Sequence, residues 1–224
     1  MPPTALRRPY PSVQKEARRS YGGSQSWLSG AVAQKSGCGL VAAADLLIYL
    51  HRYGGCAAEF FRNLPAADPI PAEIYDYYAQ RLRKRYFPLA SSFGLNAFVL
   101  ALGMNRFFRD NSLPLRASWG TPERRFWQTV QSMLAKDIPV ILCVGINFPF
   151  PWDKEQLALY TREGSGEYRR TAATHGHYVA ITGMDEEWLR VSSWGGEYHI
   201  RREEYDRYRG EHSCGLYSNI LVLR

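Results

Sequence analysis

Residues 34–50, Gln-Lys-Ser-Gly-Cys-Gly-Leu-Val-Ala-Ala-Ala-Asp-Leu-Leu-Ile-Tyr-Leu, set one cysteine, Cys38, where an apolar helix begins. The run from Leu40 to Tyr53 reads as a largely buried helix that stops at Gly54-Gly55. Its small residues Ala42, Ala43 and Ala44 let other backbone pack close. A helix start presents unpaired N–H groups and the positive end of the dipole, which lower a thiol from its usual pKa of about 8.5. Cys38 is therefore the candidate nucleophile. Free cysteines are more often inert packing than reactive, so the case needs a second segment.

That segment lies far downstream. Residues 174–183, Thr-His-Gly-His-Tyr-Val-Ala-Ile-Thr-Gly, read as a strand bearing histidine, and residues 188–196, Trp-Leu-Arg-Val-Ser-Ser-Trp-Gly-Gly, read as the next one. A cysteine near the N-terminus with a histidine well downstream is the chain order of one class of cysteine hydrolase. A turn near Asp185-Glu186 would fold the two strands together and bring His177 across from Ser192–Trp194. There the Ser192 hydroxyl can accept the imidazole N–H, with Ser193 as the fallback if the register differs by one. Trp194 would shield that pair from water. His175, two residues before His177, is read as a flanking group on the same side of the strand.

Taken together, these residues resemble the papain-like cysteine peptidases, and more closely a bacterial branch similar to bacteriocin-processing peptidases. The Gly-Cys-Gly at 37–39 and the Gly-His-Tyr-Val at 176–179 carry the resemblance. It implies Cys38 as nucleophile, His177 as base and an acyl-enzyme intermediate formed from a peptide or other amide or ester substrate. It also implies an oxyanion site made by the Cys38 N–H and a side-chain amide: Gln25 by preference, Gln34 as the alternative. The implied fold is α+β, a helical layer with the nucleophile helix packed on an antiparallel sheet and the site in the cleft between them. The sequence departs from the family at Ser192, which stands where papain relatives carry Asn. The alternative reading, a catalytically weak or inactive papain-fold binding protein, rests on that departure.

Composition sets outer bounds. A chain of 224 residues, 46% hydrophobic and 22% charged, suits one globular unit over 21–224, preceded by a basic, flexible arm over 1–20. The net charge of +7 comes from scattered Arg pairs and reads as solvated surface, with no specific nucleic-acid partner. Cys38, Cys56, Cys143 and Cys214 form no Cys-x-x-Cys pair, and His175-x-His177 has no third ligand at matching spacing. No cofactor or metal is therefore expected. Neither a secretory signal nor an apolar run long enough for a bilayer is seen, so the expected location is cytoplasmic.

Helices are expected first: one after Pro69-Ile70-Pro71, one over 95–109, and one capped by Thr121-Pro122-Glu123. Strands follow from Ile138, with a hairpin at 161–166 and a short helix over 202–209. The loop Phe148-Pro149-Phe150-Pro151-Trp152 and the Tyr198 region are expected to border the cleft.

Overall fold

A computed structural model describes residues 2–55, 57–89, 94–149 and 152–224; Cys56, Phe150 and Pro151 lie outside them. In chain order the N-terminal part holds β1 (Thr4–Ala5), β2 (Val13–Lys15), β3 (Arg18–Arg19), α1 (Ala31–Ser36) and α2 (Cys38–Tyr53). Then come β4 (Ile70–Pro71), α3 (Ala72–Arg85), α4 (Ala97–Asp110), β5 (Ala117–Trp119) and α5 (Phe126–Ala135). The C-terminal part runs β6 (Val140–Val144), β7 (Leu157–Arg162), β8 (Tyr168–Thr174), β9 (His177–Met184), β10 (Trp188–Ser193), β11 (Gly196–Arg201), α6 (Arg202–Glu211) and β12 (Leu221–Leu223). Helices and an antiparallel sheet segregate along the chain, which makes the fold α+β.

The main sheet is ordered β1-β9-β10-β11-β7-β8, with β6 pairing the same side of β9 as β1. Every residue of β9 is buried, because it lies between strands on both sides and beneath α2. The twelve residues of α2 from Gly39 to Leu50 are all buried too, which explains a sequence apolar around most of its circumference. Helix and sheet approach closely at Gly39, where a Cβ would stand 3.0 Å from the Tyr178 ring and 3.1 Å from Leu95. A side chain there would push helix and sheet apart, next door to Cys38. At the other end, the Gly54 N–H closes on the Leu50 carbonyl and ends α2.

Two expectations are corrected here. The first twenty residues are packed: β1 pairs with β9 through Thr4↔Met184 and Ala5↔Gly183, β2 pairs with β3 and β4, and Tyr10, Ser12, Val13 and Ser20 are buried. Their basic side chains point outward while the backbone completes sheet edges, so composition alone disguises the pairing. Thr121 caps no helix either. A turn at Glu123–Arg125 intervenes, α5 starts at Phe126, and the Thr121 N–H is taken by the Asn219 side chain. No helix among the described residues is long and apolar enough to cross a membrane.

Candidate active site

Cys38 is the first residue of α2, directly after the short helix α1 and the Gly37 that separates the two. His177 is the first residue of β9, and Ser193 the last of β10. Helix start and strand ends meet at one place. A small cavity of about 10 Å³, room for a single water, is lined there by Gln25, Cys38, Asp45, His177, Ser192, Ser193 and Trp194, among others.

His177 is held from two sides. Its Nε2 lies 2.8 Å from the Ser193 hydroxyl, and its ring is stacked on Trp194 with centroids 4.6 Å apart. Among the described residues none bonds Nδ1, so in the tautomer whose Nε2–H donates to Ser193, Nδ1 is the nitrogen able to take up a proton. The partner is Ser193 and not Ser192, a correction of one position. Ser192 pairs across with Ala180, so strand alternation puts Ser193 on the side of His177. The Ser192 hydroxyl instead donates to the Tyr21 carbonyl at 2.8 Å.

His175 is not on the strand. It is exposed in the bend before β9, where Gly176 turns the chain at φ 58°, so it does not share the His177 side as an extended register would require. The two glutamines differ in position and share one commitment. Gln25 lines the cavity, but its amide Nε2 donates to the carbonyls of Gln34 and Lys35 at 2.8 and 3.1 Å, closing the C-terminal end of α1. Its Oε1 is buried with no partner. Gln34 is exposed, and its amide donates to the Leu28 carbonyl at 3.0 Å.

The electrostatics also differ from the sequence-based expectation of a ready thiolate. Burial pushes the Cys38 thiol up, and the backbone N–H groups of Tyr178, Gly39 and Cys38 itself pull it down without offsetting that. Burial alone lowers His177 to about 4. The resting pair is therefore a neutral thiol and a neutral imidazole, because enclosure outweighs the helix start. One group escaped the sequence reading: Asp45, seven residues along α2 from Cys38, is buried in the inner wall of the same cavity. Its signal was a single carboxylate inside a run of apolar residues.

Among the described residues no three His, Cys, Asp or Glu side chains gather as a metal site. Cys38, Cys143 and Cys214 are free thiols. The exposed Ile146, Phe148 and Trp152 lie on the loop after β6, and the Phe148 ring packs 5.5 Å from Tyr217.

No protein-family model matches the chain. No curated protein matches it. Among solved structures it is similar to a presumed C39-like peptidase from Bacillus anthracis, at 12% identity and TM-score 0.46, over 99% of this chain and 98% of that one. A likeness of that degree does not bear on the chemistry.

Proposed function

We propose that this chain is a cysteine hydrolase of amide or ester bonds, of the papain-like, peptidase kind, with Cys38 as nucleophile and His177 as its base. The observation that carries the reading is the convergence of the two on one cavity, with His177 Nε2 held by Ser193 and Nδ1 left free. Since both groups rest neutral, the thiol proton passes to His177 Nδ1 as the sulfur attacks the carbonyl carbon. The C–S bond forms and the carbonyl electron pair moves onto oxygen. That oxyanion would be met by the Cys38 N–H, which as the first residue of α2 has no acceptor within the helix. Gln25 could add a second donor only by releasing its amide from α1. The imidazolium then protonates the leaving amine or alcohol, and a water activated by the same nitrogen hydrolyses the acyl-enzyme.

The commitment of both glutamine amides to backbone carbonyls favours a second reading, in which the same site binds a peptide without turnover. A panel of peptide and ester substrates, with Cys38→Ala as the control, separates the two. Hydrolysis by the wild type that is lost in a Cys38→Ala variant of unchanged melting temperature supports the enzyme. A peptide bound but never cleaved supports the binding protein. Hydrolysis that survives Cys38→Ala overturns both assignments of the cysteine.

A further inference from the structure

Asp45 is an anomaly that the proposed chemistry does not use. It is 2% exposed, and no cation among the described residues offsets it: its environment consists of hydrogen-bond donors and apolar walls. A buried carboxyl with no counter-charge is costly to keep. Its contacts show what it holds. The Gly23 N–H donates to both oxygens, at 2.9 and 3.2 Å, and the Tyr75 hydroxyl of α3 donates to Oδ1 at 2.7 Å.

Gly23 belongs to the segment 21–25, which is bonded both to the β10–β11 hairpin and to the end of α1. The Tyr21 carbonyl accepts the Ser192 hydroxyl of β10, and the Tyr21 N–H donates to Gly195, beside Trp194. Two residues beyond Gly23, Gln25 caps α1 just ahead of Cys38. The fit is close enough to demand glycine at 22: φ is 76°, and a Cβ would stand 2.2 Å from Ser192 Oγ and 2.6 Å from Asp45 Oδ2.

We infer that Asp45 is a positioning residue: it pins segment 21–25 to the nucleophile helix, and through that segment fixes the Ser193–His177–Trp194 corner of the sheet opposite Cys38. The inference rests on the functional reading above. The clasp is sensitive to the charge on Asp45. As a carboxylate it accepts on both oxygens. Once protonated, one oxygen becomes a donor and the Gly23 bond weakens.

The groups that face Asp45 are Tyr75 from α3, Tyr10 from the N-terminal segment, the Gly23 N–H and Ser192 from β10. The two phenols are held neutral by burial first and by Asp45 second. Burial raises Asp45 to about 7, so the clasp tightens as the solution passes from mildly acid to mildly alkaline.

The test is iodoacetamide alkylation of Cys38, followed by peptide mapping as a function of pH, which needs no substrate. A chain that hydrolyses nothing would sink the functional reading yet still report on the clasp. The wild type should show a step in alkylation rate near neutral pH. That step belongs to neither Cys38, which titrates higher, nor His177, which titrates lower. Asp45→Asn should lose the step and keep the thiol's own inflection. Tyr75→Phe, which removes one donor to the carboxylate without emptying the core, should move the step to higher pH. A wild-type profile with no step overturns the inference, as does a step that stays put in Tyr75→Phe or survives in a folded Asp45→Asn.

Discussion

One hydroxyl decides how the imidazole of His177 is held. Ser193 makes a single neutral hydrogen bond to Nε2, and such a bond contributes on the order of 1 kcal/mol, about fivefold in rate. Ser193→Ala should therefore slow turnover, or Cys38 alkylation, about fivefold. Ser192→Ala cuts one of the two links between Tyr21 and the β10–β11 hairpin, so it should lower the melting temperature and slow that step less than Ser193→Ala does, the Tyr21 N–H bond to Gly195 still holding the corner. A larger kinetic loss for Ser192→Ala than for Ser193→Ala would return the orienting role to Ser192. The sequence pointed to Cys38 and His177 because each sits in a contiguous motif with its own local signal. It could not choose between the serines. The pairing of β9 with β10 shifts register between Arg190 and Val191, and a bulge of that kind leaves no mark in hydrophobic alternation. Asp45 and the closure of α1 by Gln25 were hidden for a related reason, since their meaning lies in partners distant along the chain.

At the scale of elements, the β10–β11 hairpin is built against its own turn preference. Ser193 pairs with Gly196, so Trp194 and Gly195 form a two-residue loop, with φ of 49° and 73°. Such loops favour Asn or Gly at the first position, where a bulky residue is strained. Tryptophan persists because its ring covers His177. Trp194→Asn should fold with little loss of melting temperature, as the relaxed turn offsets the lost contact. It should also let the His177 pKa climb from about 4 toward the ordinary 6.5 as water reaches the ring. An NMR titration of the imidazole checks this; an unshifted pKa with a steep drop in melting temperature would assign Trp194 to the core alone. The elements legible in the sequence were those with a long internal pattern: α2, the hairpin after β7, and the runs that became β9, β10 and α6. β1, β2 and β4 have two or three residues each. β1 pairs with β9 and β2 with β4, both far apart along the chain, and elements this short carry no local period to announce them.

At the scale of the whole molecule, the two buried titratable groups of the cavity act on stability in opposite directions. His177 titrates at about 4 in the fold against 6.5 in the unfolded chain. Between those values only the unfolded state holds the proton, so stability falls as the pH falls. Asp45 titrates at about 7 in the fold against 3.8 unfolded. Over that range only the folded state holds the proton, so stability rises as the pH falls. The windows overlap almost completely, and in the wild type the two slopes nearly cancel. Removing either group unmasks the other. Asp45→Asn should lose on the order of 4 kcal/mol more than the wild type on acidification from about 7 to about 3.8. His177→Gln should do the reverse, gaining on the order of 3 kcal/mol relative to wild type from about 6.5 down to about 4. Urea unfolding at a series of pH values, each variant referred to wild type so that the remaining carboxylates drop out, measures both slopes. Slopes of the same sign in the two variants would mean that one of these groups is charged in the fold, and the neutral resting site would have to be abandoned.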